Sequence, residues 1–222
     1  MKPDLDLSLY ICVGPSHCPD GQIVETALAA VRGGVTLVQL RDKTSGTRAM
    51  IDSARALVAA LAPFGVPLLV NDRVDVALAA GAAGVHLGQE DMDAVDARAL
   101  LGSDAIIGLT VKNAVQAEAA PVDVLDYVSF GGVFPTGSKH NPDAPIGIAG
   151  LETLVGILRG RADMPLCAIA GIGRDNAADV IGAGTDGICV VSAITRDPDP
   201  TASARAIRRI VDSSIQQRKA AE

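Results

Sequence analysis

The chain has 222 residues, 49% of them apolar, with 23 glycines, no tryptophan and a net charge of −7. That length suits one large domain burying roughly 70–75% of its extended-chain surface, without disulfide or metal staples. The acidic balance and the scarcity of aromatic residues exclude a general nucleic-acid or anionic-membrane surface.

In chain order, short β-branched apolar runs predict strands at 8–13, 35–40, 66–70, 84–87, 105–109, 126–130, 166–169 and 187–191. Stretches of helical period follow them at 22–33, 47–61, 73–80, 93–101, 113–119, 149–160, 174–183 and 201–217. Strands apolar on both faces imply a parallel sheet covered by helices, and eight strand–helix units imply a closed (β/α)8 TIM barrel. The expected fold is therefore α/β, a single domain over 1–222 with its core at about 8–217. The longest irregular segment is 131–148, GGVFPTGSKHNPDAPIGI, and loops of that length in compact domains are usually functional.

The start, MKPDLDLSLYICVG, has acids before a short apolar run, unlike a signal peptide, and no run is long enough to span a bilayer. A cytoplasmic location is expected. Cys12, Cys18, Cys167 and Cys189 form no C-x-x-C pair and read as reduced core residues.

A barrel of this kind carries its active site at the C-terminal ends of the strands. Polar residues collect there: QLRDK (39–43), NDR (71–73), GQED (88–91), Thr110, PTGSK (135–139) and Ser192. The ends where strands begin carry mostly Gly, Pro and small residues. The bland reading, acids that only cap helices or solvate the rim, would scatter them over both ends.

Asp72 and Asp91 on adjacent strand ends could form an acid/base pair or hold a divalent cation. Arg41, Lys43 and Lys139 at the same rim suit phosphate oxygens, and carboxylates together with substrate phosphates are how Mg2+ is usually held. A diphosphate ester of roughly −3, two acids, one Mg2+ and three cations come to a net charge near zero, as a partly dehydrated site requires. In AIAGIGRDNA, Gly171 and Gly173 stand just before a helix, and VVSAI adds backbone N–H groups beside Ser192, which suggests a second phosphate site. One anion site with a metal and one without suggest two phosphorylated substrates.

Taken together, VQLRDK, VNDRVDVALAAGAAGVHLGQEDM, IIGLTV, DYVSFGGVFPTGSK and AIAGIGRDNAADVIGAGTDGICVVSAI resemble the thiamine phosphate synthase family, from the second strand almost to the end of the eighth. The resemblance implies a transferase that joins a hydroxymethylpyrimidine diphosphate to a thiazole phosphate, releasing pyrophosphate with the aid of Mg2+. It implies Gln39, Arg41, Lys43, Asn71 and Lys139 for the pyrimidine diphosphate, and Asp72 and Asp91 for Mg2+. It implies Thr136, Ser138, Gly171, Val191 and Ser192 for the thiazole phosphate. Thr110 stands where a Ser is usual for the diphosphate, with Arg41, Lys43 and Lys139 as its catalytic companions. Ser138 replaces a Thr, Ala170 the first Gly of G-G-I, and Gly132 a Pro.

The chemistry implied is substitution at a benzylic-type carbon, in which the enzyme favours departure of diphosphate and holds the thiazole nitrogen in line, with no enzyme nucleophile. Two rivals are a thiazole tautomerase-like relative, which would not need the metal pair, and a non-catalytic barrel binding thiamine-type phosphates. Among the remaining polar residues, His86 reads as a packed or hydrogen-bonded rim residue and His140 as a solvated loop residue. His17 and Cys18 carry little evidence of a nucleophilic pair. Arg73 reads as a helix start paired with Asp75. Expected partners are small phosphorylated molecules, with neither nucleic acid nor membrane. A homo-oligomer is compatible with the sequence, its contacts falling on helix faces that the sequence does not rank.

Overall fold

The computed structural model of the chain describes residues 5–137 and 144–221. Eight strands run parallel in a closed ring: β1 (Leu9–Val13), β2 (Leu37–Leu40), β3 (Leu68–Asn71), β4 (Gly84–Leu87), β5 (Ile106–Val111), β6 (Tyr127–Phe130), β7 (Leu166–Ile169) and β8 (Gly187–Val190). Each pairs with the next, and β8 returns to β1 through Leu9↔Ile188, Tyr10↔Cys189 and Ile11↔Val190. The barrel expected from the strand–helix alternation is the fold observed.

Around it lie α1 (Ile23–Arg32), α2 (Thr47–Leu61), α3 (Val74–Ala80), α4 (Ala94–Leu101), α5 (Ala114–Ala119), α6 (Gly147–Arg159), α7 (Ala177–Gly182), α8 (Ser192–Thr195) and α9 (Pro200–Ala221). Two differences from the sequence reading concern the site. The helix expected at 174–183 begins only at Ala177, because Asn176 closes a turn before it: its side chain accepts the Gly173 N–H and donates to the Gly171 carbonyl, each at 2.9 Å. A short extra helix, α8, follows β8 directly, hidden in the sequence by its four-residue length.

Successive strand residues face opposite sides, which divides the core in two. Leu9, Ile11, Val38, Leu40, Val70 and Val85 belong to the shell under the helices. Tyr10, Cys12, Leu37, Leu69, Ile106, Tyr127, Cys167 and Cys189 fill the barrel. The ring of Tyr127 lies across Gly108, where an added Cβ would stand 2.1 Å from its Cζ. All four cysteines are free and buried, as expected.

The rim where strands begin is not merely small and apolar. Asp126, just before β6, accepts the Ile107 N–H at 2.8 Å and pairs with Arg98 at 2.8 Å. Asp186, just before β8, accepts the Leu166 N–H at 2.8 Å and pairs with Arg159 at 2.5 Å. The expectation of a small-residue rim is corrected accordingly. Among the described residues, no helix is long and apolar enough to cross a membrane.

Two of the departures noted in the sequence bear on the loops. Gly132 has φ +73°, which a proline ring, fixed near −65°, cannot adopt. Ala170 has φ +95°, a region that L side chains occupy only under strain. Strain of roughly 1–3 kcal/mol exceeds the entropic cost of a glycine, about 0.5–1 kcal/mol. Ala170→Gly should therefore stabilise the protein by about 1 kcal/mol, a rise of roughly 2–4 °C in Tm for a chain of this size, measured by thermal denaturation.

Candidate functional site

The C-terminal ends of the strands surround a cavity of about 450 Å3, within the range of small-molecule sites. The two-residue period of β2 and the turn after it brings Gln39 and Arg41 to that cavity, while Leu40 faces the helices. Asn71 arrives from β3, Thr110 from β5, Thr136 from the segment after β6, Gly171 from the turn after β7, and Val191 and Ser192 from the junction of β8 with α8. Lys43, Asp72 and Asp91 stand beside the cavity and do not line it. Ser138, Lys139 and His140 lie outside the described residues.

Gln39 is almost fully buried, its amide nitrogen donating to the Tyr10 hydroxyl and its oxygen lying 3.4 Å from Cys12 Sγ. The Arg41 backbone N–H reaches the Val13 carbonyl at 2.8 Å, while its guanidinium has no hydrogen-bond or ion-pair partner among the described residues. The Nδ2 of Asn71 is buried without a partner, a donor aimed where protein offers nothing. An unsatisfied buried amide is costly and asks for an explanation such as an absent ligand.

Asp72 occupies a sharp turn. Its φ is +63°, a left-handed conformation that Asp and Asn tolerate better than other residues with a side chain. The Asp72 N–H reaches the His86 carbonyl at 2.8 Å, and the Arg73 N–H reaches the Asn71 carbonyl at 2.7 Å. The turn sets the Asp72 carboxylate against both Lys43, which donates to its Oδ2, and Asp91. Burial and the neighbouring Asp91 carboxylate push the Asp72 carboxyl above its ordinary pKa, against the opposing pull of Lys43. Asp91 takes the Gly88 N–H on its Oδ2 at 2.7 Å. Neither acid caps a helix; Asp93 does that for α4, accepting the Val95 N–H at 2.8 Å. Two hard oxygen groups held close enough to repel each other suit a divalent cation. Among the described residues no group of three or more His, Cys, Asp or Glu could hold a metal, so water and ligand oxygens would have to complete the shell.

Thr110 is pinned from both sides. Its Oγ1 lies 2.6 Å from His86 Nε2, and its methyl would be 2.9 Å from a Cβ on Gly131. His86 is buried, bonded at its other nitrogen to the Tyr127 hydroxyl at 2.7 Å and stacked on that ring with centroids 5.5 Å apart. Its reading as a packed, hydrogen-bonded residue stands. Arg73 pairs with Asp75 at 2.6 Å, also as expected.

The sequence reading missed several cavity residues. Lys112, two positions beyond Thr110 and so on the same face, adds a cation, a signal that the strand period alone could have given. Tyr10, Cys12, Ser129 and Cys189 line the cavity from inside the barrel. They were concealed because strands apolar on both faces do not reveal which face points inward. The turn 171–176 is also less open than expected, since Asn176 already takes the Gly173 N–H.

A family model described as thiamine monophosphate synthase matches residues 9–194. The chain is 49% identical to a thiamine-phosphate synthase of Agrobacterium fabrum, over 97% of this chain and 98% of that protein. It is 44% identical to a thiamine-phosphate synthase of Azorhizobium caulinodans, over 96% and 99%. Among solved structures, a thiamine phosphate pyrophosphorylase from Pyrococcus furiosus is similar with a TM-score of 0.83 at 35% identity, over 95% of this chain and 98% of that one.

The crowding of Asp72 has a measurable consequence. A carboxyl raised in the folded state favours folding when protonated, and that advantage is lost as pH rises through its folded pKa. Asparagine resembles the protonated form and tolerates φ +63° equally well. In the metal-free protein Asp72→Asn should raise Tm at pH 7, and the gain should vanish near about pH 3, where the wild-type carboxyl is itself protonated. Calorimetry across that range checks both signs.

Proposed function

Because the chain belongs to the thiamine monophosphate synthase family, we propose that it condenses 4-amino-2-methyl-5-hydroxymethylpyrimidine diphosphate with a thiazole phosphate, giving thiamine monophosphate and pyrophosphate. The observation that carries this reading is the pairing of Asp72 with Asp91 beside a cavity containing the unpartnered Arg41 guanidinium and the unpartnered Asn71 amide. A cation-assisted diphosphate site needs that combination; a tautomerase acting on the thiazole phosphate does not, and neither does a binding protein without turnover.

In this reading Gln39, Arg41, Lys43, Asn71, Thr110 and Lys139 bind the pyrimidine diphosphate. Arg41 and Asn71 supply donors to its oxygens, and the buried Gln39 fixes the inner wall of the cavity. Asp72 and Asp91 would hold Mg2+, which when bound supplies Lewis-acid stabilisation of the departing diphosphate. Lys43, paired with Asp72, stands ready to balance the anion from the rim, and Thr110 donates its hydroxyl proton to a diphosphate oxygen. Thr136, Ser138, Gly171, Val191 and Ser192 take the thiazole phosphate. The first N–H groups of α8, which lack intrahelical partners, serve there in place of the occupied Gly173 N–H. Both substrates are thereby held at one mouth, where positioning alone can lower the barrier to substitution. The enzyme works in the cytoplasm on small phosphorylated molecules.

The deciding measurement is pyrophosphate release from the purified protein, expected only when both substrates and Mg2+ are present. Isomerisation of thiazole phosphate without pyrophosphate release would favour the tautomerase reading instead. Asp91→Asn should retain the fold and lower turnover strongly, with partial recovery at high Mg2+. Thr110→Ser should be nearly neutral and Thr110→Val should lower kcat/KM by about 10- to 100-fold, the worth of a hydrogen bond to a charged group. Steady-state kinetics over a Mg2+ series tests all three variants.

A further inference from the structure

A chain of hydrogen-bonding groups crosses the barrel interior beneath the cavity. Gln39 donates to the Tyr10 hydroxyl, the Tyr10 and Tyr127 oxygens are 3.2 Å apart, Tyr127 lies 2.7 Å from His86 Nδ1, and His86 Nε2 lies 2.6 Å from Thr110 Oγ1. The polarity of that chain decides whether Thr110 offers the cavity a proton or a lone pair. A neutral imidazole has one N–H and one acceptor nitrogen, so the partner at Nδ1 determines what Nε2 can do.

The Tyr127 hydroxyl has one proton and two neighbours. Imidazole nitrogen is the stronger base and is nearer; the contact to Tyr10 exceeds the usual range for an O–H to oxygen bond. The proton therefore belongs on the bond to Nδ1. Burial pushes both phenols above their ordinary pKa, so Tyr127 keeps that proton at any working pH.

We propose that His86 is a positioning residue acting through Thr110: the Tyr127 hydroxyl holds it as the neutral Nε2–H tautomer, which donates to Thr110 Oγ1 and turns the Thr110 proton towards the cavity. The threonine methyl, seated against Gly131, leaves the side chain one orientation in which to do this. Gly108 permits the arrangement by leaving room for the Tyr127 ring. An anion bound at Thr110 then meets a donor already aimed, instead of a hydroxyl that must turn. The opposite tautomer would take the Thr110 proton and face a diphosphate oxygen with a lone pair. The kinetic part of this inference rests on the function proposed above; the tautomer itself does not.

The first experiment therefore needs no substrate. In the substrate-free protein labelled with 15N-histidine, each of the three histidines is assigned by single replacement. His86 should show a protonated Nε2 and an unprotonated Nδ1, and Tyr127→Phe, which keeps the ring and removes the donor, should abolish that preference. A protonated Nδ1 with an unprotonated Nε2 in wild type, or a tautomer unchanged in Tyr127→Phe, overturns the proposal.

The second experiment reads pyrophosphate release. His86→Leu should lower kcat/KM for the pyrimidine diphosphate by about 10- to 100-fold, whereas His86→Gln, whose amide retains a donor towards Thr110, should stay within about threefold of wild type. In a Thr110→Val background, His86→Leu should cost no more than about threefold further, because the group it acts through is gone. Independent, multiplying losses, or no rescue by Gln, would make His86 a packing residue only. If the wild-type protein releases no pyrophosphate, the functional reading fails while the tautomer remains decided by the spectra.

Discussion

Everything at the mouth of this barrel depends on the pairing of the first strand with the last. Three residue pairs, Leu9↔Ile188, Tyr10↔Cys189 and Ile11↔Val190, complete a ring in which no strand edge is left open. Closure brings eight strand ends onto one circle, so residues as far apart in sequence as Arg41 and Ser192 share a cavity. It also creates an interior into which side chains from alternate positions must fit. In this chain that interior holds two tyrosines and three cysteines where aliphatic residues would pack as well. The tyrosines bring hydroxyls that need partners, and the partners found, Gln39 and His86, tie the floor of the cavity to its wall.

The two rims differ less in polarity than in satisfaction. At the rim where strands begin, Arg98 spends its donors on the carbonyls of Val124, Gly102 and Ala105 and on Asp126, which in turn holds the Ile107 N–H. Arg159, Asp186 and the Leu166 N–H repeat the device one quarter of the barrel away. These charges are consumed in holding neighbouring strands in register. At the opposite rim the Arg41 guanidinium stands without a partner among the described residues, Asn71 leaves a buried donor unmet, and two acids crowd each other. A folded chain retains such costs where a ligand relieves them.

The fold was legible in the sequence because its signals are local and repeat eight times: an apolar run too short for a helix, then a helical period. The strand ends were legible for the same reason, and Gln39, Arg41, Asn71 and Thr110 reach the cavity as their positions on strand ends imply. What stayed hidden involves direction. A run such as SLYICV does not say which of Tyr10 and Ile11 points inward, since both faces are buried. Nor does spacing reveal that Asn176 folds back onto Gly171 and Gly173, or that Ala170 sits at φ +95°. Those are outcomes of tertiary packing that overrides local preference.

The long last helix, α9, clasps both ends of the chain. Thr201 donates to the Ala29 carbonyl at 2.8 Å, Arg208 to Gly34 at 3.0 Å, and Arg218 to Ile181 at 3.0 Å and Thr185 at 2.6 Å. Its partners at Ala29 and Gly34 are made first and must wait for residues 172 and 174 positions later to emerge. During that interval one edge of β1 has no strand beside it and α1 has no cover along its outer face. Contacts of such long sequence separation make folding slow, and an open apolar edge held for that time is where a nascent chain meets chaperones or its own copies. The helix that covers the closed barrel thus sets the time at which it becomes safe from aggregation.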